Sequence, residues 1–169
     1  MKFEHSGEAK EDAKIFEESF SWDNDPENAE RAAEMTKEEL VRLGWPEEAA
    51  YKFSLAVAEA VANATIHGNL GIDKKDGEDN YEERIRKAQE ENEAKRVKVY
   101  FRFTKEEATA QIKDEGKFIP PKEMIDPTEG DNLLKSSGRG FLIIFDGTDN
   151  VEFLEGETIL HKQNQQGDR

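Results

Sequence analysis

FSLAVAEAVANATIHGN, residues 53–69, is expected to form the helix around which the rest of the chain packs. Phe53, Val57, Ala60 and Ala64 recur at spacings of four, three and four, which draws one apolar stripe along a helix. The helix is expected to start near Pro46 and to reach about Ile66, with Gly68 as its cap. Leu55 to Ala64 is rich in Ala and Val, so whatever packs on it must come close. Two polar residues interrupt the run. Glu59 and Asn63 are one turn apart and therefore share a flank. One reading puts them at the solvent edge of an amphipathic helix. The other makes them a site, because a carboxylate set against a core costs several kcal/mol unless it is paired or bound. In that reading the Asn63 amide oxygen suits a hard divalent cation, and Glu59 suits a general base.

Toward the N-terminus, IFEESFSW (residues 15–22) places Phe16, Phe20 and Trp22 on one side and is predicted to be a strand. Asp25-Pro26 supplies a cap and a first-turn proline for a helix to about Leu43. That helix buries Ala29, Ala32, Ala33, Met35 and Leu40 and stops at Gly44. Residues 1–14 are polar and acidic and read as a tail. Toward the C-terminus, DKKDGEDNYEERIRKAQEENEAKR (residues 73–96) has only Tyr81 and Ile85 as sizeable apolar groups and reads as a solvated loop and helix inserted between core elements. Val97–Phe103 and Ala108–Lys113 alternate as a strand hairpin. Residues 119–137 are a long segment bearing prolines and acids. The apolar run Phe141–Phe145 is short enough to be strand or helix. Val151–Leu154 and Thr158–Lys162, around Glu155-Gly156-Glu157, form a terminal hairpin. Strands joined mainly by hairpins, with helices to cover one face, make a two-layer α+β sandwich on an antiparallel-rich mixed sheet.

Composition narrows the chemistry. The chain has 169 residues, no cysteine and a net charge of −15, with 35% hydrophobic and 37% charged residues. One domain is expected from that length. Disulfides, thiolate metal sites and a cysteine nucleophile are excluded. No run approaches the roughly 18–20 apolar residues of a membrane span, and no signal-peptide core follows Met1, so a cytoplasmic protein is expected. The acidic excess disfavours nucleic acid and anionic membrane as partners.

Two further motifs carry chemistry. Asp114-Glu115-Gly116 ends a strand, where Asp and Gly ordinarily make a turn. Ser136-Ser137-Gly138-Arg139-Gly140 precedes Phe141–Phe145, and if that run is helical its free N–H groups form an anion site.

Together and in this order, these motifs resemble the GHKL (Bergerat-fold) ATPase superfamily, and more narrowly the RsbW-like anti-sigma-factor serine/threonine kinases. Residues 53–69 are similar to the N-box helix, Ile112–Gly116 to the first glycine box, residues 126–144 to the nucleotide lid and second glycine box, and Gly156–Leu160 to the last motif. The resemblance implies a histidine-kinase-like ATPase domain over residues 15–163, with 73–96 an insertion, 119–137 the lid and 164–169 a polar tail. It makes Phe141–Phe145 helical. It implies ATP and Mg²⁺ as ligands, with Glu59 the general base and Asn63 the metal ligand. Asp114 would hold the adenine amino group, with Gly116 beside the base. Gly138, Arg139 and Gly140 would lie at the phosphates, and Thr158 would support the adenine end. The protein partners implied are an anti-sigma-factor antagonist, a sigma factor or an analogous regulator, with a homodimer by analogy. Two departures stand out: Lys117 runs straight into Phe118 where the family has a second glycine, and Glu157 splits the Gly156–Thr158 pair. They favour an alternative, a partner-binding module gated by nucleotide without turnover.

Overall fold

The computed structural model describes residues 14–72, 80–117 and 136–165. The expected lid up to residue 135, the first part of the insertion (73–79) and the two tails, apart from Lys14, Asn164 and Gln165, lie outside the described residues.

Strand β1, Ile15–Trp22, is followed by helix α1, Asn28–Arg42, and helix α2, Glu47–Asn63. Helix α2 runs on into a π-helical turn, Ala64–Asn69. Helix α3, Tyr81–Glu91, precedes strands β2, Val97–Thr104, and β3, Glu107–Lys113. Helix α4, Ser136–Gly147, then leads to strands β4, Asn150–Leu154, and β5, Glu157–Gln163. The five strands form one sheet in the order β1-β2-β3-β5-β4. Every pair is antiparallel, so the sheet is not mixed.

The register explains which residues form the core. Phe20, Val99, Ile112, Thr158 and Phe153 stand opposite one another in a row across all five strands, on the face that the helices cover. Neighbouring rows bring in Phe16, Phe101, Phe103, Ala108, Ala110 and Leu160, all buried. Phe53 of α2 meets Phe103 edge-on, with ring centroids 6.1 Å apart. Burying an aromatic or aliphatic side chain of this size contributes roughly 1.5–3 kcal/mol, and these residues are the main source of the sandwich's stability. The opposite face carries Ser19, Ser21, Lys98, Tyr100, Gln111 and Lys113, which alternate with the core residues along the strands.

Local chemistry sets the element ends. The Asp25 carboxylate accepts from the Glu27 N–H at 2.9 Å, one turn ahead of α1. Gly44, at φ 98°, takes the left-handed conformation that ends α1. Trp45 then anchors the α1–α2 corner: its buried indole N–H donates to the Thr104 carbonyl at 2.8 Å.

Three details differ from the sequence expectations. Gly68 caps nothing: it lies inside the π-helical turn, and the left-handed glycine is Gly71, at φ 64°. The inserted helix is not solvated all round, because Ala88 is buried in a small cluster with Leu70 and Ile72, against which Ile66, Tyr81 and Ile85 pack. Asn164, placed in the tail, is buried and donates through its side chain to the Lys105 carbonyl at 2.9 Å. Among the described residues no helix is long and apolar enough to cross a membrane.

Candidate functional site

The site is built where α2, its π-helical extension, the end of β3, the β4–β5 turn and the start of α4 meet. Helix α4 runs back along α2. A Cβ on Gly147 would overlap the Lys52 carbonyl, and one on Gly140 would stand 2.8 Å from the Glu59 Oε2 atom. The absence of side chains at these two positions lets the helices approach, and it sets the first turns of α4 against Glu59. Gly138, Arg139 and Gly140 all fall in those first turns, and Arg139 is exposed. The expectation of a helix over Phe141–Phe145 is thus met, with Phe141 and Ile144 buried on its inner side.

Glu59 is half-buried and makes no hydrogen bond or ion pair with another described residue. Burial pushes its carboxyl above the ordinary 4.5. The Asn63 amide, one turn on, is also half-buried and has no hydrogen-bond partner among the described residues. Both groups therefore point away from the core stripe that holds Phe53, Ala56, Val57 and Ala60, and neither is consumed by the fold.

Asp114 is treated differently. It leaves β3 and lies directly on Gly68: a Cβ there would stand 2.6 Å from its Oδ2 atom. Gly116 rests in turn on the Gly68 carbonyl, where a Cβ would overlap the oxygen. Glycine at both positions is a matter of space, and the two interlock. The Asp114 carboxylate also accepts the Gly116 N–H at 2.8 Å, and the Asp114 N–H donates to the Gly156 carbonyl at 2.9 Å. Burial raises the Asp114 carboxyl above its ordinary 3.8, opposed by the Gly116 hydrogen bond and by the Lys95 ammonium.

A cleft of about 20 Å³ opens between these groups, lined by Asn63, Ala64, Asp114, Phe153, Glu157 and Thr158, among others. That is room for about one water. Three of the residues singled out from the sequence, Asn63, Asp114 and Thr158, thus border one space although they come from α2, the end of β3 and β5. Thr158 is the polar member of the otherwise apolar inner row described above, which turns its hydroxyl-bearing side chain toward this end of α2. Glu59 and Gly140 meet one helical turn away. Among the described residues no three His, Asp or Glu side chains cluster in a way that would hold a bare metal ion. Asn63 supplies one neutral oxygen, which fits Mg²⁺ only if phosphate oxygens and waters provide the rest of the shell.

A larger concavity, about 370 Å³, lies elsewhere, on the open face of the sheet between Ser19, Ser21, Lys98, Tyr100, Gln111 and Lys113. It gathers no unpartnered acid or base beside a helix N-terminus, and the Lys113 ammonium is already 3.5 Å from the Glu157 carboxylate. The smaller cleft is the candidate site.

Sequence reasoning missed Asn69, Asn24 and Lys95, which stand behind Asp114. No protein-family model matches the sequence, and no curated protein is significantly similar to it.

Proposed function

We propose that the chain is an ATP-binding regulatory protein of the anti-sigma-factor kinase type, transferring the γ-phosphoryl group to a serine or threonine of an antagonist protein. One observation carries the reading: a carboxylate, Glu59, and an amide, Asn63, neither with a partner among the described residues, lie one turn apart on α2, between the glycine-rich start of α4 and a cleft that Asp114 and Thr158 border.

Each group has a role its chemistry suits. The first N–H groups of a helix favour anionic oxygens, and glycine at 138 and 140 puts no side chain between the first turns of α4 and a phosphate. Asn63 would hold a divalent ion brought by the nucleotide, and the ion would supply neutralisation of charge on the phosphates. Glu59 accepts the proton of the attacking hydroxyl. Burial raises its basicity in the direction a general base needs, toward neutral pH. Asp114, fixed by Gly116 and by the Gly156 carbonyl, offers its remaining oxygen to an exocyclic amino group. Phosphoryl transfer asks for positioning and charge stabilisation more than covalent chemistry, and these residues supply both.

Labelled ATP and Mg²⁺ incubated with the protein and its antagonist test this. Label on the antagonist that disappears with Glu59→Gln supports a kinase; label that persists unchanged in that variant contradicts Glu59 as the base.

The second reading, a module that sequesters a sigma factor or analogous regulator and uses nucleotide only as a conformational ligand, is favoured by the tightness of the cleft. The cleft has room for about one water, so a base seated there would widen the space between the β4–β5 turn and the π-helical turn. Calorimetry that finds binding without turnover supports this reading.

A further inference from the structure

Behind the Asp114 turn lies a closed ring of hydrogen bonds made by two buried amides. Asn69 is 1% exposed and Asn24 6% exposed. The Asn24 Nδ2 group donates to the carbonyls of Asn92 and Lys95, each at 3.1 Å, just past the C-terminal end of α3. The Asn24 Oδ1 atom accepts from Asn69 Nδ2 at 2.7 Å. The Asn69 Oδ1 atom accepts the Glu115 N–H at 2.6 Å. The Glu115 carboxylate then accepts the Arg96 N–H at 2.6 Å, which returns the ring to the residue after Lys95. Gln89 of α3 adds a bond to the Asn24 carbonyl at 2.9 Å.

The partners dictate the orientation of each amide. Turning Asn24 over would set its oxygen against two carbonyls, and turning Asn69 over would set two donors against the Glu115 N–H. Each ring bond is therefore conditional on the next. A buried amide that loses one partner keeps the full cost of its desolvation, so the network tends to be whole or broken. Lys95 enters twice: its carbonyl accepts from Asn24, and its ammonium acts on the Asp114 carboxyl.

We propose that Asn69 is a positioning residue for the Asp114–Gly116 turn, and that Asn24 ties it to the end of α3, so that displacement of the 80–96 segment weakens adenine-nucleotide binding at Asp114. This rests on the reading of Asp114 as the group that meets the base. It makes the charged insertion a regulatory handle on the site: a protein partner that pulls on the exposed acids and bases of α3 loosens Glu115, and with it the carboxylate next door.

The test uses the intact chain, Mg·ATP titration calorimetry and residue-resolved hydrogen exchange at the Glu115 amide, with Asn69→Ala and Asn24→Ala as variants. Both are expected to raise the Kd for ATP about tenfold at unchanged stoichiometry. Asn24→Ala is expected to speed exchange at Glu115, to which Asn24 itself makes no bond. Gln89→Ala removes one bond to the Asn24 carbonyl from a half-buried side chain; it serves if the alanine variants fail to fold, with a smaller effect in the same direction. Asn28→Ala is the control, since it removes a buried amide whose side chain, among the described residues, bonds to Asp23 alone; it is expected to lower the melting temperature and leave Kd and Glu115 exchange alone. An unchanged Kd with reduced stoichiometry, or unchanged exchange at Glu115 in Asn24→Ala, overturns the proposal. If the wild-type chain binds no ATP, the functional reading falls by itself, and exchange at Glu115 still decides whether the coupling exists.

Discussion

Asn63 and Asn69 lie six residues apart on one continuous helical path, yet Asn69 is fully buried with two hydrogen bonds while Asn63 is half-buried with none to a described residue. The same contrast runs through the carboxylates. Asp114 is wedged on Gly68 and bonded to Gly116, whereas Glu59 lies against Gly140 and has no hydrogen-bond partner among the described residues. One end of the cleft is a finished piece of structure; the other leaves its polar groups without partners among the described residues. A fold alone explains the first arrangement. The second leaves a half-buried acid and amide that a ligand would complete.

The largest expected effect lies at the free end. Glu59→Gln should lower phosphoryl transfer to the antagonist by roughly 10²–10⁴-fold, the usual range for removing a general base, with ATP affinity changed less than about twofold. Single-turnover transfer together with calorimetry checks both. The finished end should respond in stability instead. Gly116→Ala forces a methyl group into the Gly68 carbonyl and should cost about 3 kcal/mol in urea unfolding. Gly140→Ala meets only the tip of the Glu59 side chain, which can swing aside, and should cost under about 1 kcal/mol while depressing turnover. Equal costs at the two glycines would erase the distinction between the ends.

The two asparagines sharpen it further. Asn69→Ala leaves the Glu115 N–H and the Asn24 oxygen without partners and should destabilise by about 2 kcal/mol. Asn63→Ala orphans nothing among the described residues and should stay within about 0.5 kcal/mol of wild type. The smallest effect is in pH. The Glu59 carboxyl is raised in the folded state above 4.5 and that of Asp114 above 3.8, so each binds its proton more tightly folded than unfolded. Their stabilising contribution is whole below the ordinary values and is lost as pH rises through the folded ones. Glu59→Gln should therefore melt at a higher temperature than wild type at neutral pH, with the gain shrinking toward pH 4. Melting curves across that range measure it, and a constant gain would point away from the carboxylate's burial.

Sequence reading reached the elements whose signal is periodic. The stripe through Phe53, Val57, Ala60 and Ala64 and the alternation of Val97 to Phe103 both report which face meets the core, and the strands and helices stand where those patterns put them. Phe141–Phe145 carried no such information, because five consecutive apolar residues suit a strand or a buried helix, and only its packing along α2 decides. Gly68 was expected to cap a helix because glycine usually acts locally; here its bare Cα serves a residue 46 positions away. The Asn24–Asn69 ring leaves no trace in any window, since hydrogen bonds between single side chains far apart in sequence have no period. The insertion was expected to be solvated for the related reason that Ile85 and Ala88 are too few to register against so many charges, although they suffice to dock α3. Of the candidate site, Glu59 and Asn63 were legible as polar breaks in an apolar stripe, and Asp114 only by its place in a motif order.

If the proposed reading holds, Asn63 and its neighbours complete their contacts on a metal-bound nucleotide. The melting temperature of the wild-type chain and of Asn63→Ala, each with and without Mg·ATP, addresses it most directly. Ligand at about 100 times its Kd should add about 2.7 kcal/mol to the wild-type fold, seen as a clear rise in melting temperature that shrinks in Asn63→Ala and on chelating the metal. No rise in the wild type, or an equal rise in both chains, would contradict the account.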